Sequence, residues 1–385
     1  MKIAIFTDNF LPYYSGITTA TINLVKGLAD KGHNVYIIAP RYKSLKEFKY
    51  KNIKVIREPS IPAVFYKGLK FRSFFSIKII KYLKEEGIEI IYSSTPITLG
   101  IQSILTAKIL KIPLIGTFHT FFADEQYLKH IKINSEVMQK IAWAYSRYFY
   151  NECDLVTCPA ETTKKELLAN GFNNNIKVIS NGIDPKIFVN SKWEEVKNKY
   201  NKNGKLLLFI GRIAHEKNLI YLLECFSRIV KEIPETKLLI IGEGPQMGEI
   251  KEKINSLNLN GKVILTGKID HEKLVKSSIF KACDLFVTAS TTENQPMTVL
   301  EAQVNGLICI GINARGIKDL VKNGYNGYLV KNNDKNQFAQ KVLKLLSNET
   351  LYKKMKKNTL KEIKKHYMNN IIKEWEKESL RLIKK

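Results

Sequence analysis

The stretch that decides the fold is Leu285-Phe286-Val287-Thr288-Ala289-Ser290-Thr291-Thr292-Glu293-Asn294-Gln295-Pro296-Met297-Thr298-Val299-Leu300-Glu301-Ala302. Its first five residues are apolar or β-branched, which is typical of a strand. Pro296 fits the first turn of a helix, where its missing N–H costs nothing. The sequence therefore predicts a strand, a short loop that carries Glu293, and a helix with Glu301 on its second turn.

The loop between this strand and helix predicts an anion site. A helix N-terminus presents unpaired backbone N–H groups and the positive end of the helix dipole, which suit a phosphate. Glu293 and Glu301, on either side of it, can hold hydroxyls such as those of a nucleotide-linked sugar. An exposed helix start with ordinary surface acids has the same spacing, so this stretch alone leaves both interpretations open.

Apolar β-branched runs alternate with segments of helical period along the whole chain, which indicates parallel sheets covered by helices. The predicted strands are residues 2–7, 34–39, 53–57, 88–93, 112–118, 154–158 and 176–180, then 205–210, 237–242, 262–266, 284–289, 307–312 and 327–330. Asn181-Gly182 and the polar stretch 190–204 separate the two sets. We therefore predict the α/β class, with two doubly wound Rossmann-like domains and ligands bound at the carboxyl ends of the strands, in a cleft between the domains.

Composition limits the class of protein. The chain of 385 residues suits two domains of similar size, and its five cysteines are scattered, as in a reduced cytosolic protein. The short apolar run at the N-terminus is typical of a strand, not of a signal peptide, and no apolar run reaches the length of a membrane-spanning helix.

The net charge of +26, from 62 basic and 36 acidic residues, is unusually high. Such a field attracts nucleic acid, anionic lipid or phosphorylated substrates. A genome biased toward Lys, Ile and Asn would also produce it, so its cause stays open. We find no nucleic-acid reader motif and expect no nucleic-acid partner.

Further motifs follow one another along the chain. They are Pro12-Tyr13-Tyr14-Ser15-Gly16, Gly116-Thr117-Phe118-His119-Thr120, Ile179-Ser180-Asn181-Gly182-Ile183-Asp184, Gly211-Arg212-Ile213, Glu216-Lys217-Asn218, Gly242-Glu243-Gly244-Pro245 and Thr266-Gly267. With the Glu-x7-Glu pair of residues 293 and 301, they make nearly the whole chain resemble the retaining GT-B glycosyltransferases of family 4, the group 1 glycosyl transferases. The resemblance implies an acceptor-binding domain at 1–183, a nucleotide-sugar-binding domain at 184–362, and a helix at 363–385 that crosses back to the first domain.

Arg212 and Lys217 follow the strand predicted at 205–210. Two cations at the carboxyl end of a strand can neutralise a diphosphate, whose charge grows as the sugar departs. An isolated Arg-x4-Lys is ordinary surface, but the resemblance implies that this pair is the diphosphate clamp of the family. The sequence has no Asp-x-Asp motif to carry a metal-bound diphosphate. We therefore expect no cofactor and no metal requirement, with activity retained in the presence of a chelator.

The resemblance also implies the other donor contacts. Glu293 contacts the hexose, Glu301 the ribose hydroxyls, and the backbone N–H groups near Met297 and Thr298 the diphosphate. Three further donor-binding positions lie beside the base or let the backbone approach the ligand: Gly16, Gly267 and Ile269. The family more often has Gly-Phe or Gly-Leu at 296–297 and two adjacent glycines around position 16, so this chain departs from the pattern at both places.

His119 ends the apolar strand predicted at 112–118. A lone histidine after a strand is commonly a structural residue with its ring nitrogens satisfied within the fold. The resemblance implies instead that His119 contacts the donor sugar, and we predict that it shields an oxocarbenium-like centre. The predicted catalytic set is His119, Glu293, Arg212 and Lys217.

Two other nucleotide-dependent classes are disfavoured. Gly242-x-Gly244 is followed by Met247 where a dinucleotide-binding fingerprint needs its third glycine, which argues against a nicotinamide enzyme. The Gly-x4-Gly-Lys-Ser/Thr phosphate loop is also absent from the sequence.

Residues 60–84 are basic and aromatic, without an acidic residue. They predict an amphipathic surface helix on anionic lipid, although a core-packed helix with a lysine-rich outer face fits the same pattern. The predicted membrane-binding residues are Lys67, Lys70, Phe71, Arg72, Phe74, Phe75 and Lys78.

Two local segments, 119–127 and 291–295, resemble those of diacylglycerol glucosyltransferases. We therefore predict a retaining transferase that moves a hexose from a nucleotide-sugar, UDP-glucose before GDP-mannose, to a lipid acceptor such as diacylglycerol. We expect the protein to be cytoplasmic and bound peripherally to the cytoplasmic face of the membrane. A soluble transferase that makes a polysaccharide or small glycoside is the alternative.

Overall fold

The structure is a computed structural model that describes residues 1–42, 48–62, 70–71, 75–121, 136–189 and 191–384. The chain forms two compact units. Unit 1 comprises Met1–Gly182 and Met368–Lys385, and unit 2 comprises Ile183–Tyr367.

Unit 1 is built on a parallel sheet. Its strands, with one separate antiparallel pair (β4 and β5), are β1 (Lys2–Phe6), β2 (Asn34–Pro40), β3 (Ile53–Glu58), β4 (Ile61–Pro62), β5 (Lys70–Phe71), β6 (Ile90–Ser93), β7 (Leu114–Thr117), β8 (Leu155–Cys158) and β9 (Ile176–Val178). The order in the large sheet is β3-β2-β1-β6-β7-β8-β9, so the direction of chain progression reverses between β1 and β6.

Helices cover both faces of this sheet. They are α1 (Gly16–Asp30), α2 (Ile77–Glu85), α3 (Thr98–Leu110), α4 (Glu136–Asn151) and α5 (Glu161–Ala169). Successive side chains of a strand point to opposite faces. Ile5 of β1 accordingly belongs to one hydrophobic cluster and Phe6 to another, and both are fully buried.

Unit 2 repeats the plan with β10 (Leu206–Ile210), β11 (Lys237–Ile241), β12 (Val263–Leu265), β13 (Leu285–Thr288), β14 (Ile308–Ile312) and β15 (Gly327–Val330). The strand order is β12-β11-β10-β13-β14-β15, with the reversal between β10 and β13. The helices are α6 (Trp193–Asn201), α7 (Leu219–Glu232), α8 (Met247–Ser256), α9 (His271–Val275), α10 (Ile279–Ala282), α11 (Met297–Val304), α12 (Ile317–Leu320), α13 (Lys335–Ser347) and α14 (Glu349–Glu362).

The last helix, α15 (Met368–Ile383), belongs to unit 1 and packs on α1. Its Trp375 ring lies 4.8 Å from the ring of Tyr92 on β6, centroid to centroid. The hydroxyl of Tyr92 lies 2.6 Å from that of Ser379 and satisfies its polar group inside the core. Aromatic packing and a buried hydrogen bond therefore hold the end of the chain on the sheet of unit 1.

Each strand predicted from the sequence overlaps an observed strand, and the prediction of two parallel-sheet domains is confirmed. The prediction of one amphipathic helix over 60–84 was wrong. Ile61–Pro62 pairs with Lys70–Phe71, and the helix begins only at Ile77. No helix in the described part of the chain is long and apolar enough to span a bilayer.

Candidate active site

The strand reversal in unit 2 gathers several of the predicted site residues. β10 and β13 are parallel neighbours, with Leu207 opposite Leu285, so their carboxyl ends lie side by side. Lys217 ends a 3-10 turn (His215–Lys217) after β10, and Glu293 lies in the loop after β13. Ligands of doubly wound sheets bind at such a reversal.

Lys217 and Glu293 form an ion pair, with the Lys217 ammonium donating to Oε1 of Glu293. Their side chains are 19% and 24% exposed. Burial acts to lower the pKa of Lys217, but the charge and hydrogen bond of Glu293 outweigh it, and the pKa is raised. Lys217 therefore carries its charge at neutral pH.

Arg212 adds a second positive charge near this pair. It follows β10 after Gly211, its side chain is exposed, and its charge acts to lower the pKa of Lys217. The turn that carries Lys217 is fixed to the loop after β13, because the Ser290 hydroxyl donates to the backbone oxygen of Glu216 over 3.0 Å. The structure thus brings together three of the predicted site residues, Arg212, Lys217 and Glu293.

Close backbone packing holds the loops around this group. An added Cβ on Gly244 would lie 2.1 Å from the oxygen of Ile213, and one on Gly316 would lie 1.5 Å from the oxygen of Asn294. No side chain fits either position without moving backbone. The loops that follow β10, β11, β13 and β14 are therefore held by direct packing of backbone on backbone.

The helix after Glu293 begins one residue later than predicted. Pro296 is the residue before α11, not part of its first turn, and Met297 is the first helical residue. The backbone N–H groups of Val299 and Leu300 both donate to the oxygen of Pro296. The N–H groups of Met297 and Thr298 precede these bonds and lie at the open positive end of the helix.

Glu301, on the second turn of α11, is almost fully buried with a side chain 3% exposed. Its Oε1 lies 2.7 Å from Nε2 of His271, the first residue of α9. The sequence analysis did not identify His271, because nothing local in the sequence links α9 to α11. Gly267, with φ of 72°, and the half-buried Ile269 lie in the loop between β12 and α9.

In unit 1, His119 follows β7 at the carboxyl edge of the sheet. Burial lowers its pKa to about 4, so the ring is neutral at neutral pH. Gly16 is the first residue of α1, after the capping residue Ser15. An added Cβ on Gly16 would meet nothing within 4 Å, so the fold itself does not require a glycine there.

The carboxyl edge of unit 1 also holds Asp8, which the sequence analysis did not select. Asp8 follows β1, is fully buried, and accepts hydrogen bonds from the hydroxyls of Thr95 and Thr98 (2.8 Å each) and the backbone N–H of Leu99 (3.1 Å). Burial raises its pKa against the opposing effect of these bonds. Asp8 therefore ties β1 to the start of α3 at the strand reversal.

The predicted membrane-binding residues fall mostly outside the described side chains. This applies to Lys67, Lys70, Phe71, Arg72 and Phe74, and also to the acidic-aromatic segment 122–127. Phe75 is 46% exposed, and Lys78 is exposed on α2.

The apolar face of α2 is buried in the core through Ile79, Ile80 and Leu83. Part of α2 therefore packs in the core, as the alternative interpretation describes, whereas Lys78, Lys81 and Lys84 are exposed together with Ile77. Helix α4 exposes apolar side chains instead, namely Val137, Met138, Ile141, Tyr145 and Tyr148.

Among the described residues, no group of three or more His, Cys, Asp or Glu side chains could hold a metal ion. All five cysteines are buried, and none of them forms a disulfide.

Replacement of His119 by glutamine is expected to reduce the acid sensitivity of folding. In the unfolded chain this histidine takes up a proton below a pKa of about 6.5. In the folded chain the same histidine takes up a proton only below a pKa of about 4. Protonation of His119 in the unfolded chain therefore lowers the free energy of unfolding by about 1–2 kcal/mol as the pH drops from 7 to 5. Urea unfolding at both pH values should show a smaller fall in the variant, and equal falls would contradict the lowered pKa.

Two family models cover the chain almost end to end. Glycosyltransferase Family 4 matches residues 14–187, and Glycosyl transferases group 1 matches residues 191–362. An alpha-monoglucosyldiacylglycerol synthase of Streptococcus pneumoniae is 32% identical over 313 residues, which is 80% of this chain and 70% of the relative. A protein of the same name from Acholeplasma laidlawii is 25% identical over 93% of this chain and 91% of the relative.

The fold has close structural counterparts. The crystal structure of Anabaena HepE in complex with UDP and glucose matches with a TM-score of 0.78 over 99% of this chain and 100% of that one, at 17% identity. At this identity the match shows the fold alone, and that fold is GT-B. The chain therefore belongs to the family 4 (group 1) glycosyltransferases and is a hexosyltransferase of the GT-B fold, as its sequence predicted.

Proposed function

We propose that this chain transfers glucose from UDP-glucose to diacylglycerol, with retention of anomeric configuration, at the cytoplasmic face of the membrane. The observation that carries the proposal is the group formed by Arg212, Lys217 and Glu293 at the strand reversal of unit 2. Two cations and an acid there lie beside the open N-terminus of α11, which is the arrangement that a sugar diphosphate requires.

The chemistry follows from the charges. As the bond between the sugar and the phosphate oxygen breaks, negative charge grows on the departing diphosphate. Lys217, Arg212 and the N–H groups of Met297 and Thr298 stabilise that charge more in the transition state than in the ground state. Glu293 is assigned to the hexose hydroxyls. The departing phosphate oxygen accepts the proton of the acceptor hydroxyl, and substitution takes place on one face of the sugar.

The Lys217–Glu293 pair gives this proposal a specific consequence. When the ammonium of Lys217 turns toward a phosphate oxygen, its hydrogen bond to Oε1 of Glu293 weakens or breaks. That change frees Glu293 Oε1 to accept from a sugar hydroxyl. Binding of the diphosphate and orientation of the hexose are therefore coupled through one side-chain pair.

The lipid acceptor is supported by two relatives, both called alpha-monoglucosyldiacylglycerol synthase, and by the surface of unit 1. Helix α4 exposes a stripe of apolar and aromatic side chains, which is unusual for a surface in contact with water alone. The lysine face of α2 adds positive charge that attracts anionic lipid headgroups. We propose that unit 1 contributes the acceptor and membrane contacts and, through His119, a contact to the donor sugar, and that unit 2 contributes the contacts to the diphosphate and the nucleotide.

A sugar-transfer assay tests the proposal. UDP-[14C]glucose and GDP-[14C]mannose are each incubated with the full chain and a total lipid extract, and the lipid product is separated and identified. We expect label in a glucosyl-diacylglycerol from UDP-glucose. Label only in water-soluble products would favour the soluble alternative, a transferase that makes a polysaccharide or small glycoside.

Neutralising the lysine face of α2 is expected to weaken membrane binding. Each lysine near an anionic surface contributes about 1 kcal/mol at low salt, a factor of about five. Replacing Lys78, Lys81 and Lys84 by glutamine should therefore weaken binding to anionic liposomes by roughly a hundredfold in flotation, and added salt should weaken the wild type similarly.

The matched control for this flotation experiment replaces three exposed lysines of the terminal segment of unit 1, Lys373, Lys377 and Lys384, by glutamine. It removes the same charge from another surface. Equal losses for both triple variants would mean that general charge, not the α2 face, attracts the membrane. Absence of wild-type binding at low salt would contradict the membrane proposal.

A further inference from the structure

The pairing of Glu301 with His271 assigns a role to a residue outside the sequence-predicted site. The Glu301 carboxylate is 3% exposed, and the His271 ring is 21% exposed. An ionised carboxylate only accepts hydrogen bonds, so His271 Nε2 carries the hydrogen in their 2.7 Å contact. A carboxyl group this deeply buried needs hydrogen-bond partners within the fold.

The contact between His271 and Glu301 joins two helices that follow different strands of unit 2. His271 opens α9, directly after the loop that follows β12, and Glu301 lies on α11 after β13. The backbone oxygen of Glu301 is also fixed, because it accepts from the side chain of Asn305 over 2.7 Å. Main chain and side chain of Glu301 are therefore each held by a separate partner.

The two acids of the site are held in different ways. Lys217 offers Glu293 an ammonium with three equivalent donors on a flexible stem, so that pair can rotate and exchange. His271 offers Glu301 one N–H in the plane of a ring, which fixes direction as well as distance. Such a contact orients a carboxylate and occupies one of its two oxygens.

We propose that His271 is a positioning residue for nucleotide recognition, which holds Oε1 of Glu301 so that the second oxygen accepts from a ribose hydroxyl of the donor. This inference rests on the proposed function and on the sequence-based assignment of Glu301 to the ribose hydroxyls of the donor. It predicts that the preference for ribose over deoxyribose nucleotides depends on His271, although His271 itself does not contact the nucleotide.

The test measures binding of UDP and of 2′-deoxy-UDP to the full chain by calorimetry. In the wild type we expect UDP to bind more tightly. His271→Ala should weaken UDP binding about tenfold, the effect of one charge-assisted hydrogen bond, and change 2′-deoxy-UDP binding much less. His271→Gln, which can still donate to Glu301, should restore most of the preference. Rescue by this variant is not expected if the histidine only fills space.

A double-mutant cycle separates positioning from direct contact. In a Glu301→Gln background, His271→Ala should alter UDP affinity by less than about twofold, because no carboxylate is left to orient. His33→Ala is the matched control, since it breaks a comparable 2.8 Å contact to Glu376 in unit 1, and it should leave both affinities unchanged.

Two results would overturn the inference in distinguishable ways. Equal binding of UDP and 2′-deoxy-UDP by the wild type would remove the ribose role of Glu301, and the inference with it. A wild type that discriminates, together with a His271→Ala variant that discriminates by the same factor, would leave the proposed function intact and refute the role of His271.

Discussion

Replacement of Lys217 by alanine is expected to lower kcat for sugar transfer by about 10²–10³-fold, the usual cost of removing one fixed group that stabilises developing transition-state charge. The variant loses a cation beside the departing diphosphate and leaves Glu293 without its ion-pair partner. The loss should appear mainly in kcat, because the interaction strengthens as the bond to the sugar breaks. Steady-state transfer of glucose from UDP-glucose measures it.

Lys197 provides a matched control for this variant. Its ammonium lies 2.6 Å from Asp284, and the two side chains are 17% and 22% exposed, close to the values for Lys217 and Glu293. Asp284 precedes β13, at the opposite end of the strand from Glu293. Lys197→Ala should destabilise unit 2 comparably but leave kcat within a few-fold of wild type. If both variants lost turnover equally, the effect would be structural and Lys217 would have no special role.

Replacement of His119 by alanine is expected to lower kcat about 100-fold, because a fixed polar group at the donor sugar would be lost from the transition state. The histidine is neutral at the working pH, so it acts as a dipole and steric shield, not as a cation. UDP affinity should stay near the wild-type value, since the sequence analysis assigns His119 to the sugar and not to the nucleotide. Parallel measurements of kcat and of UDP binding separate the two effects.

The glutamine variant refines this prediction. His119→Gln retains a neutral hydrogen-bonding side chain and should recover part of the lost turnover. Unchanged turnover in His119→Ala would refute a catalytic contact and favour the structural role that a lone histidine after a strand commonly has.

Much of the fold was readable from the sequence because its signals are local. A parallel strand buried on both faces is a short run of Ile, Leu and Val, and each such run became a strand. The loop of Glu293 was also readable, since a strand followed by Pro296 and a helical pattern places the acid at the carboxyl end of β13. The predicted start of α11 was wrong by one residue, because sequence patterns do not fix the first residue of a helix that closely.

The features that sequence analysis missed depend on distant residues. Asp8 is separated by 87 and 90 positions from Thr95 and Thr98, its hydroxyl partners. His271 reaches Glu301 only because α9 and α11 follow separate strands of one sheet. The segment 60–84 misled for another reason. Its basic and aromatic pattern suggested one amphipathic helix, but the antiparallel pair of β4 and β5 lies before α2, and pairing between short strands leaves no helical period to detect.

We propose above all that Arg212 and Lys217 bind the diphosphate of the donor while Glu293 orients its hexose. A crystal structure of the chain with UDP-glucose tests it most directly. The account predicts phosphate oxygens within about 3 Å of Lys217 Nζ and the Arg212 guanidinium, with Glu293 turned to a hexose hydroxyl. A diphosphate bound elsewhere, with the Lys217–Glu293 pair unchanged, would contradict it.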